Sequence, residues 1–563
     1  MKTKIAELIF KNVEGLTLDE VLGLMEIPPK PEMGDFAFPC FRLAKTMRKA
    51  PQMIASDIKE AIGTVDFLDE IQVLGAYINF FVNKETFVKS MVEAAFDDNF
   101  GGSDIGNGKT ICIDYSSPNV AKNFHVGHLR TTIIGNSLYK IYSKLGYEVV
   151  RINHLGDWGT QFGKLIVAYK AWGNEDAVKN DGVAELMKLY VKFHEEAEKN
   201  PSLNDEARAW FSKMENGDEE ALKIWQWFKD ISLIEYKRTY DLLCIDFDSY
   251  NGESFYREKK AAVFDRIQSA NLLTESEGAK IVNLESYDMA PFLILKNDGS
   301  SIYATRDLAA IFYRKETYNF EKCLYVTGQE QKLHFAQVFK VVELLGNDWA
   351  KDQLVHIPYG LVSLEGAKLS TRSGNIIYAE DILLEAISKI REIIEEKNPN
   401  IPDKDETAKK IGVGAVLFND LYNQRIKDVS FKWEKLLNFD GETGPYVQYT
   451  YARCASILRK VENFSPSTDI DCSLITDAEA IELLKEISRF PKVVLDASEK
   501  YEPSVVARFA VDVAQSFNKY YNACRINVED EALRNSRVTL VHLTKKTIKD
   551  ALLLLGIQCP EQM

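Results

Sequence analysis

The chain has 563 residues, 46% of them hydrophobic and 11% aromatic, and a net charge of −15; this composition indicates a large globular protein of several domains and excludes a disordered one. No apolar run reaches the roughly eighteen residues of a membrane helix, and the first ten residues are too mixed for a signal peptide, so we expect a cytoplasmic protein without a membrane partner. The eight cysteines are scattered without Cys/His spacing, which argues against both a zinc site and disulfides.

Residues 1–105 predict a first domain of mixed helix and strand. Helical periodicity covers Lys4–Val13 and Phe41–Ile62, and a strand pattern covers Gly75–Asn83. Acidic, Asn- and Gly-containing residues at 96–108 indicate a linker. Judged from its residues alone, this segment is a small α/β domain with aromatic packing.

The next stretch predicts a strand, a helix and a second strand. Ile111–Tyr115 and Tyr147–Asn153 have strand patterns, and an amphipathic helix is expected between them from about Val126 to Leu145. Such a unit implies a parallel sheet with a right-handed crossover, so we predict an α/β fold with a Rossmann-like catalytic sheet. Ligands bind such sheets at the carboxyl ends of the strands, beside helix N-termini.

The tetrapeptide HVGH at 125–128 lies at that junction. A helix N-terminus attracts phosphate, and two imidazoles three residues apart can both donate to one phosphate as its charge rises in a transition state. Gly127 has no side chain, so a flat base can approach the backbone there. His125 and His128 are therefore candidate phosphate-binding residues; the alternative is two packed or solvated histidines near a helix start.

The middle of the chain combines a helical insertion with further sheet. Charged helical residues predict an insertion at about 174–240, whose tryptophans are expected in its core rather than on a binding face. The sheet is predicted to resume near Cys244–Tyr250 and Ala290–Leu295. Asp307 then falls near a helix start, where a carboxylate ordinarily caps the helix by accepting hydrogen bonds from its first amides. A Gly-, Ser-, Lys- and Arg-containing loop at 359–377 suits anion contact or is a solvated hairpin.

The C-terminal third is predicted to be helical. From Pro445 onward 15 Lys and Arg stand against 16 Asp and Glu, so nearly all of the net negative charge lies in residues 1–444. Composition therefore permits a basic face for nucleic acid without demonstrating one. Tyr446 and Tyr449 are suited to stacking on unpaired bases, although packing in a helix bundle is the alternative.

These motifs together resemble one enzyme family. HVGH resembles the HIGH signature of class I aminoacyl-tRNA synthetases, and the longer strings DYSSPNVAKNFHVGHLRTTIIGNSL (114–138) and GDWGTQFG (156–163) resemble arginyl-tRNA synthetases in particular. The resemblance extends over the whole chain. It implies an N-terminal additional domain that contacts tRNA (1–105), a catalytic domain (106–376), a helical connective region (377–444) and an all-helical anticodon-binding domain (445–563).

The resemblance also implies an activity and its residues. The expected enzyme is a ligase that activates L-arginine with ATP, with Mg²⁺ on the phosphates, and charges tRNA-Arg. It is expected to be a monomer. Catalysis is assigned to His125, His128, Lys122, Lys368 and Arg372. ATP binding is assigned to His125, Gly127, His128, His334, Lys368 and Ser370. Arginine binding is assigned to Asp114, Asn119, His125, Tyr303, Asp307 and Gln331 (or Gln329). Contact with tRNA is assigned to Tyr446, Gln448 and Tyr449.

Two departures from the family pattern bear on these assignments. The segment KLSTR (368–372) resembles the KMSKS loop, but Thr371 stands in place of its second lysine. Lys122, Lys368 and Arg372 are the candidates for the missing charge, and the sequence does not decide which of them contributes most. Asp114 is shorter than the glutamate expected there. The carboxylates of Asp114 and Asp307 together nevertheless suit a guanidinium, because its planar fork of five donors needs several acceptors.

Three function classes remain open at this point. The first is the arginine–tRNA ligase, and the second is a nucleotidyltransferase with the same HxGH signature that acts on a small molecule. The third is an RNA-binding or regulatory paralogue without catalysis. The long helical C-terminal part disfavours the second class. The intact histidine pair, Lys122 and KLSTR disfavour the third.

Overall fold

The structure, a computed structural model, describes residues 1–296, 303–364, 367–368, 378–461 and 465–563. The chain forms two compact units, each assembled from separate segments. The first contains residues 1–100, 457–489 and 515–547, and the second contains residues 101–456, 490–514 and 548–563. The domain boundaries predicted after residues 105, 376 and 444 stay predictions.

The N-terminal part of the first unit packs helices on a small antiparallel sheet of strand order β1-β3-β2. Its elements are α1 Lys2–Phe10, α2 Leu18–Leu24, β1 Phe36–Pro39, α3 Leu43–Met47, α4 Pro51–Ile62, β2 Leu68–Leu74, β3 Tyr77–Val82 and α5 Lys84–Phe96. Ile54 and Ile58 lie one turn apart on α4 and are buried in the same cluster as Phe80 of β3. The core of this part therefore lies between helix and sheet.

The helix expected over Phe41–Ile62 is divided into two. Arg48 takes a left-handed conformation with φ 50°, and Pro51 occupies the first turn of α4. A residue before proline is excluded from the helical region by steric clash, and Ala50 is accordingly extended. The proline thus ends one helical segment and starts the next.

The second unit is built on a four-stranded parallel sheet, whose strands are in order β10 (Leu354–Tyr359), β9 (Lys322–Gly328), β4 (Thr110–Asp114) and β5 (Glu148–Ile152). Its elements up to the insertion are β4 Thr110–Asp114, α6 Val126–Lys144, β5 Glu148–Ile152, α7 Thr160–Trp172, α8 Glu175–Asp181, α9 Val183–Lys199, α10 Ser202–Glu215 and α11 Glu219–Leu243. The predicted strand–helix–strand unit is confirmed, and the residues of the predicted insertion form helices α8–α11. Trp210, Trp225 and Trp227 pack against the buried core of the insertion, as expected.

Further elements follow along the chain. They are α12 Lys260–Ser269, β6 Leu273–Ser276, β7 Ala279–Val282, β8 Phe292–Leu295, α13 Tyr303–Tyr318, β9 Lys322–Gly328, α14 Lys332–Leu344, α15 Ala350–Gln353, β10 Leu354–Tyr359, β11 Val362–Leu364, β12 Ala367–Lys368, α16 Ala379–Lys397, α17 Lys404–Leu421, β13 Val429–Phe431 and α18 Trp433–Leu436. The strands β6-β7-β8 and β12-β11-β13 form two further small sheets.

The predicted return of the chain to the parallel sheet is confirmed only as a single bridge at residues 244–250 and is wrong at residues 290–295. Residues 244–250 form no strand, but Ser249 makes an isolated parallel bridge with Ile152 of β5, and the amides of Asp248 and Ser249 donate to the carbonyl of Arg151. The side chain of Asp248 in turn accepts bonds from the amide and the guanidinium of Arg151. The strand β8 exists but pairs antiparallel with β7 in a sheet of its own.

The C-terminal part is helical, as predicted. Its helices are α19 Gly444–Lys460, α20 Ala478–Ser488, α21 Phe490–Glu499, α22 Ser504–Ala523 and α23 Glu531–Leu554. Short 3₁₀ turns occur elsewhere at Pro31–Met33, Cys40–Arg42, Glu253–Lys259, Glu285–Tyr287, Gln329–Gln331 and Cys472–Leu474. Across the described residues, every helix is too short or too polar to span a bilayer.

Candidate active site

The first turn of α6 is capped by its own histidines. His125 is the N-cap residue, and its Nδ1 accepts a hydrogen bond of 3.0 Å from the amide of Gly127. His128 reaches back, and its Nδ1 accepts a bond of 3.3 Å from the amide of His125. Amides that a helix start leaves unpaired are thereby satisfied by the two imidazoles.

This capping fixes which nitrogen of each ring carries the proton. Burial, and then the charge of Lys122, lower the pKa of His125, and burial lowers the pKa of His128 well below its ordinary value. Both rings are therefore neutral at pH 7. Because each Nδ1 accepts a bond, each Nε2 carries the hydrogen. The rings stack with centroids 3.9 Å apart, so two uncharged donors stand side by side.

Gly127 makes this arrangement possible. A Cβ at Gly127 would lie 2.8 Å from Cε1 and 3.0 Å from Nδ1 of His125. A side chain at this position would displace the capping ring. Gly127 thus leaves room for the imidazole of His125. The sequence alone predicted that it leaves room for a base of the ligand, and did not indicate this second reason for a glycine.

The loop between β4 and α6 is strained and pinned in place. Ser116, Ser117 and Ala121 all have positive φ, an uncommon conformation for residues with a side chain. Ser117 donates its amide to Asn153, and the hydroxyl of Tyr236 donates to the carbonyl of Lys122 at 2.6 Å. Backbone strain held by the surroundings is common at functional sites.

Lys122 lies beside the histidines. Its side chain is half-buried, and burial lowers the pKa of its ammonium group. Its charge in turn depresses the pKa of both imidazoles. Lys122 forms no ion pair with any residue that the structure describes. A partly desolvated cation without a counterion is suited to meet an anionic ligand.

Asp114, by contrast, already has a cationic partner. Its Oδ2 lies 2.8 Å from Nη2 of Arg314, and its Oδ1 accepts a bond of 2.8 Å from the hydroxyl of Ser117. Arg314 is 1% exposed and its second contact is His154, at 3.3 Å. The guanidinium on Asp114 is therefore supplied by the chain itself. The prediction that Asp114 binds substrate remains untested.

Asp307 is differently placed. Its Oδ2 is 2.6 Å from Nε2 of His334, and its side chain is 28% exposed. No lysine or arginine in the described ranges pairs with it. Burial lowers the pKa of the half-buried His154, and the charges of Asp114, Asp307 and Asp157 oppose that shift. Of these three, Asp157 is paired with Lys229 at 2.6 Å and Asp114 with Arg314, which leaves Asp307 for an incoming cation.

The remaining predicted ligands are less informative. Asn119 is exposed, and its backbone bridges to Gly156. Gln329 and Gln331 are exposed at the start of α14. For Tyr303 and Lys368 the structure describes the backbone only, in α13 and β12. Ser370, Thr371 and Arg372 lie outside the described residues.

The three residues predicted to contact tRNA differ in exposure. Tyr449 is 39% exposed, and Arg453 lies over its ring at 4.9 Å. Tyr446 is half-buried. Gln448 is fully buried and donates to the carbonyls of Lys410 and Gln558. The prediction that Gln448 contacts tRNA does not fit this burial, because the side-chain amide already donates to two carbonyls inside the fold.

Sequence reasoning missed Arg314, His154 and Asp157. The signal for Arg314 was present, since it lies seven residues after Asp307 on the same helix, and two turns place both on one face. Asp157 stood within the quoted GDWG string. Only the fold reveals that Lys229 and Ser254 bind its carboxylate.

Comparison with known proteins identifies the family. The family model described as "tRNA synthetases class I (R), catalytic domain" matches residues 91–433. Curated proteins named Arginine--tRNA ligase from Clostridioides difficile and Clostridium perfringens are 53% and 54% identical, covering 100% of this chain and 99% and 100% of their own lengths. The chain belongs to the arginyl-tRNA synthetases.

Two further family models and solved structures agree with the assignment to arginyl-tRNA synthetases. "Arginyl tRNA synthetase N terminal domain" matches residues 2–82, and "DALR anticodon binding domain" matches residues 447–563. The arginyl-tRNA synthetase of Thermus thermophilus is 26% identical with a TM-score of 0.82, covering 100% of both chains. That of Plasmodium falciparum, at 24% identity and a TM-score of 0.81, shares the fold over 100% of this chain and 99% of its own.

Proposed function

We propose that the protein joins L-arginine to tRNA-Arg in two steps at a site that includes the α6 N-terminus, Lys122 and Asp307. The arginine carboxylate attacks the α-phosphate of ATP, giving arginyl-adenylate and pyrophosphate. The 2′-hydroxyl of the terminal adenosine of tRNA, as class I membership implies, then attacks the carbonyl carbon of the arginyl group, which forms the ester to tRNA and releases AMP. The observation that carries this proposal is the pair of neutral, stacked imidazoles with both Nε2–H donors free of the capping bonds.

The imidazole pair suits the first step because it stabilises charge without supplying a proton. As the bond to pyrophosphate breaks, negative charge builds on phosphate oxygens, and preorganised donors at a helix N-terminus favour that charge. Lys122 adds a cation at the same place. Lys368, Ser370 and Arg372 remain proposed as further phosphate contacts. Attack by the substrate's own carboxylate requires no covalent intermediate on the enzyme.

Mg²⁺ is proposed to enter with ATP as part of the substrate. Among the described residues no three His, Cys, Asp or Glu side chains are grouped so that they hold a metal ion. The donor set therefore suits an ion carried by phosphate oxygens better than one held by the protein.

Arginine recognition is proposed to centre on Asp307. A carboxylate whose only ion-pair partner among the described residues is an imidazole accepts a guanidinium without first releasing a lysine or arginine. Asp114, Asn119, Tyr303 and Gln331 are proposed to line the same pocket. In this arrangement Arg314 holds the carboxylate of Asp114 in place.

For tRNA, the helical C-terminal part is proposed as the anticodon-binding region, with Tyr449 and Tyr446 as contacts. A monomeric state and a cytoplasmic location remain part of the proposal. The family assignment supports ATP, arginine and tRNA as the partners.

Exchange of pyrophosphate into ATP, run with arginine in the presence and absence of tRNA, tests the activity. We expect exchange that depends on arginine, and transfer of labelled arginine to tRNA-Arg. Exchange with another amino acid but not arginine would overturn the substrate. Absence of both activities, with tRNA binding retained, would instead favour a non-catalytic RNA-binding paralogue.

A further inference from the structure

A second buried arginine, Arg130, lies two residues after His128 and is 0% exposed. Its Nη1 donates to the carbonyls of Gly360 and Leu361 at 2.8 and 3.0 Å. Its Nη2 donates to the carbonyls of Arg425 and Lys427 at 3.1 and 2.8 Å. One guanidinium on α6 thus joins two chain segments that are more than 60 residues apart in sequence.

The charge of Arg130 is balanced separately. Its Nε lies 3.3 Å from Oδ1 of Asp420, which is itself 2% exposed. The side chain therefore combines a charge pair with a carbonyl clamp, which we define as the four bonds to residues 360, 361, 425 and 427. Only the planar fork of arginine presents donors in four such directions, since a lysine has one nitrogen.

The carbonyl clamp holds the strand that leads to Lys368. Leu361 precedes β11, and Ser363 of β11 pairs with Lys368 of β12. Beyond residue 377 the chain returns to the same helix start, because Tyr378 bridges to His125 and the amide of Ala379 donates to the carbonyl of Phe124 at 3.0 Å. The described chain on both sides of residues 369–377 is thus fixed to the segment that carries the two histidines.

We propose that Arg130 is a positioning residue for adenylate formation. It touches neither ATP nor arginine. It sets β11 and β12 relative to His125 and His128, so that groups on the two segments act on the same phosphates. This inference rests on the proposed function, because it assigns Arg130 a part in the first step of that reaction. Misplacement of a reacting group by about 1 Å lowers a rate by about 100-fold, which sets the expected size of the effect.

The test compares Arg130→Lys with Arg314→Lys, two equally buried arginines in one unit. In pyrophosphate exchange with tRNA present, Arg130→Lys should lower kcat by about 100-fold with the KM for arginine changed less than about threefold. Arg314→Lys should instead raise the KM for arginine. If both variants lose kcat and thermal stability in the same proportion, Arg130 has a general packing role and the inference is wrong.

A second variant covers the case in which Arg130→Lys does not fold. Asp420→Asn removes the charge pair and leaves the carbonyl clamp, so we expect a lower Tm but a kcat within about threefold of wild type below that Tm. A loss of kcat as large as 100-fold in Asp420→Asn would overturn the inference. A wild type without arginine-dependent exchange would refute the proposed function itself, whereas an active wild type with an equally active Arg130→Lys refutes only the role of Arg130.

Discussion

Replacing Asp307 and Asp114 separately by asparagine should separate substrate recognition from stability. Asp307 is 28% exposed, and in the part of the chain described it pairs with no lysine or arginine, so Asp307→Asn should change the free energy of unfolding by less than about 1 kcal/mol. A carboxylate that accepts a charged hydrogen bond contributes about 1.5–3 kcal/mol. The kcat/KM for arginine should therefore fall by about 10- to 150-fold, and the preference for arginine over citrulline should narrow.

Asp114→Asn should show the reverse pattern. Arg314 is 1% exposed, and loss of its carboxylate partner leaves a buried cation without a counterion. Breaking a buried pair in this way destabilises a protein by about 3–5 kcal/mol, so the urea midpoint should drop clearly. The effect on arginine discrimination should be smaller than that of Asp307→Asn.

The assay is pyrophosphate exchange with arginine, citrulline and lysine on both variants and wild type, combined with urea unfolding. Arginine kinetics left intact by Asp307→Asn and abolished by a stable Asp114→Asn would show that Asp114 is the guanidinium ligand. The assignment of Arg314 as its permanent partner would then be wrong.

The remaining predictions concern phosphate binding and pH. His128→Ala should weaken transition-state stabilisation by about 2–4 kcal/mol, seen as a lower kcat in exchange with little change in arginine affinity; an unchanged kcat would remove His128 from the site. Lys122→Met should reduce the rate of pyrophosphate exchange. Because burial lowers the pKa of Lys122, the exchange rate of the wild type should fall at a lower pH than it would for an ordinary lysine, whose pKa is near 10.4. An unchanged exchange rate in Lys122→Met would contradict the proposal that the charge of Lys122 acts on the phosphates. Burial lowers the pKa of His356 to about 4, so the unfolded chain binds its proton first and stability should fall as pH drops from about 6.5 towards 4. Urea midpoints across that range should decline less steeply in His356→Gln, and an identical slope would count against this assignment.

Local pattern predicted the core of the fold well. β4, α6 and β5 have strong periodicities, and strand and helix ends were correct to within one or two residues. Residues 244–250 pair with β5 at one bridge only, because the amide of Arg151 donates to the side chain of Asp248 and not to a backbone carbonyl. A short stretch of sequence does not show which backbone groups of the neighbouring strand are free to pair.

The residues of the candidate site could be predicted where interacting residues are close in sequence, but not where they are far apart in sequence. The two histidines could be found because both lie on one helix turn. The pairing of Asp114 with Arg314 spans 200 residues, and the four carbonyls that bind Arg130 carry no residue-specific signal at all. Gln448 stands between two exposed or half-exposed tyrosines in the sequence, and only the packing of α19 shows that it points inward.

The reciprocal capping of α6 has a consequence for folding cooperativity. The same imidazoles close the first turn of the helix and face the proposed phosphate position, so local unwinding and loss of the site are one event. The amide protons of Gly127 and His125 should therefore exchange with solvent at a rate that reports how often the site is dismantled. A ligand that holds both imidazole rings in place would slow that exchange. The exchange rates of these two amide protons would therefore report the fraction of the enzyme that has ligand bound.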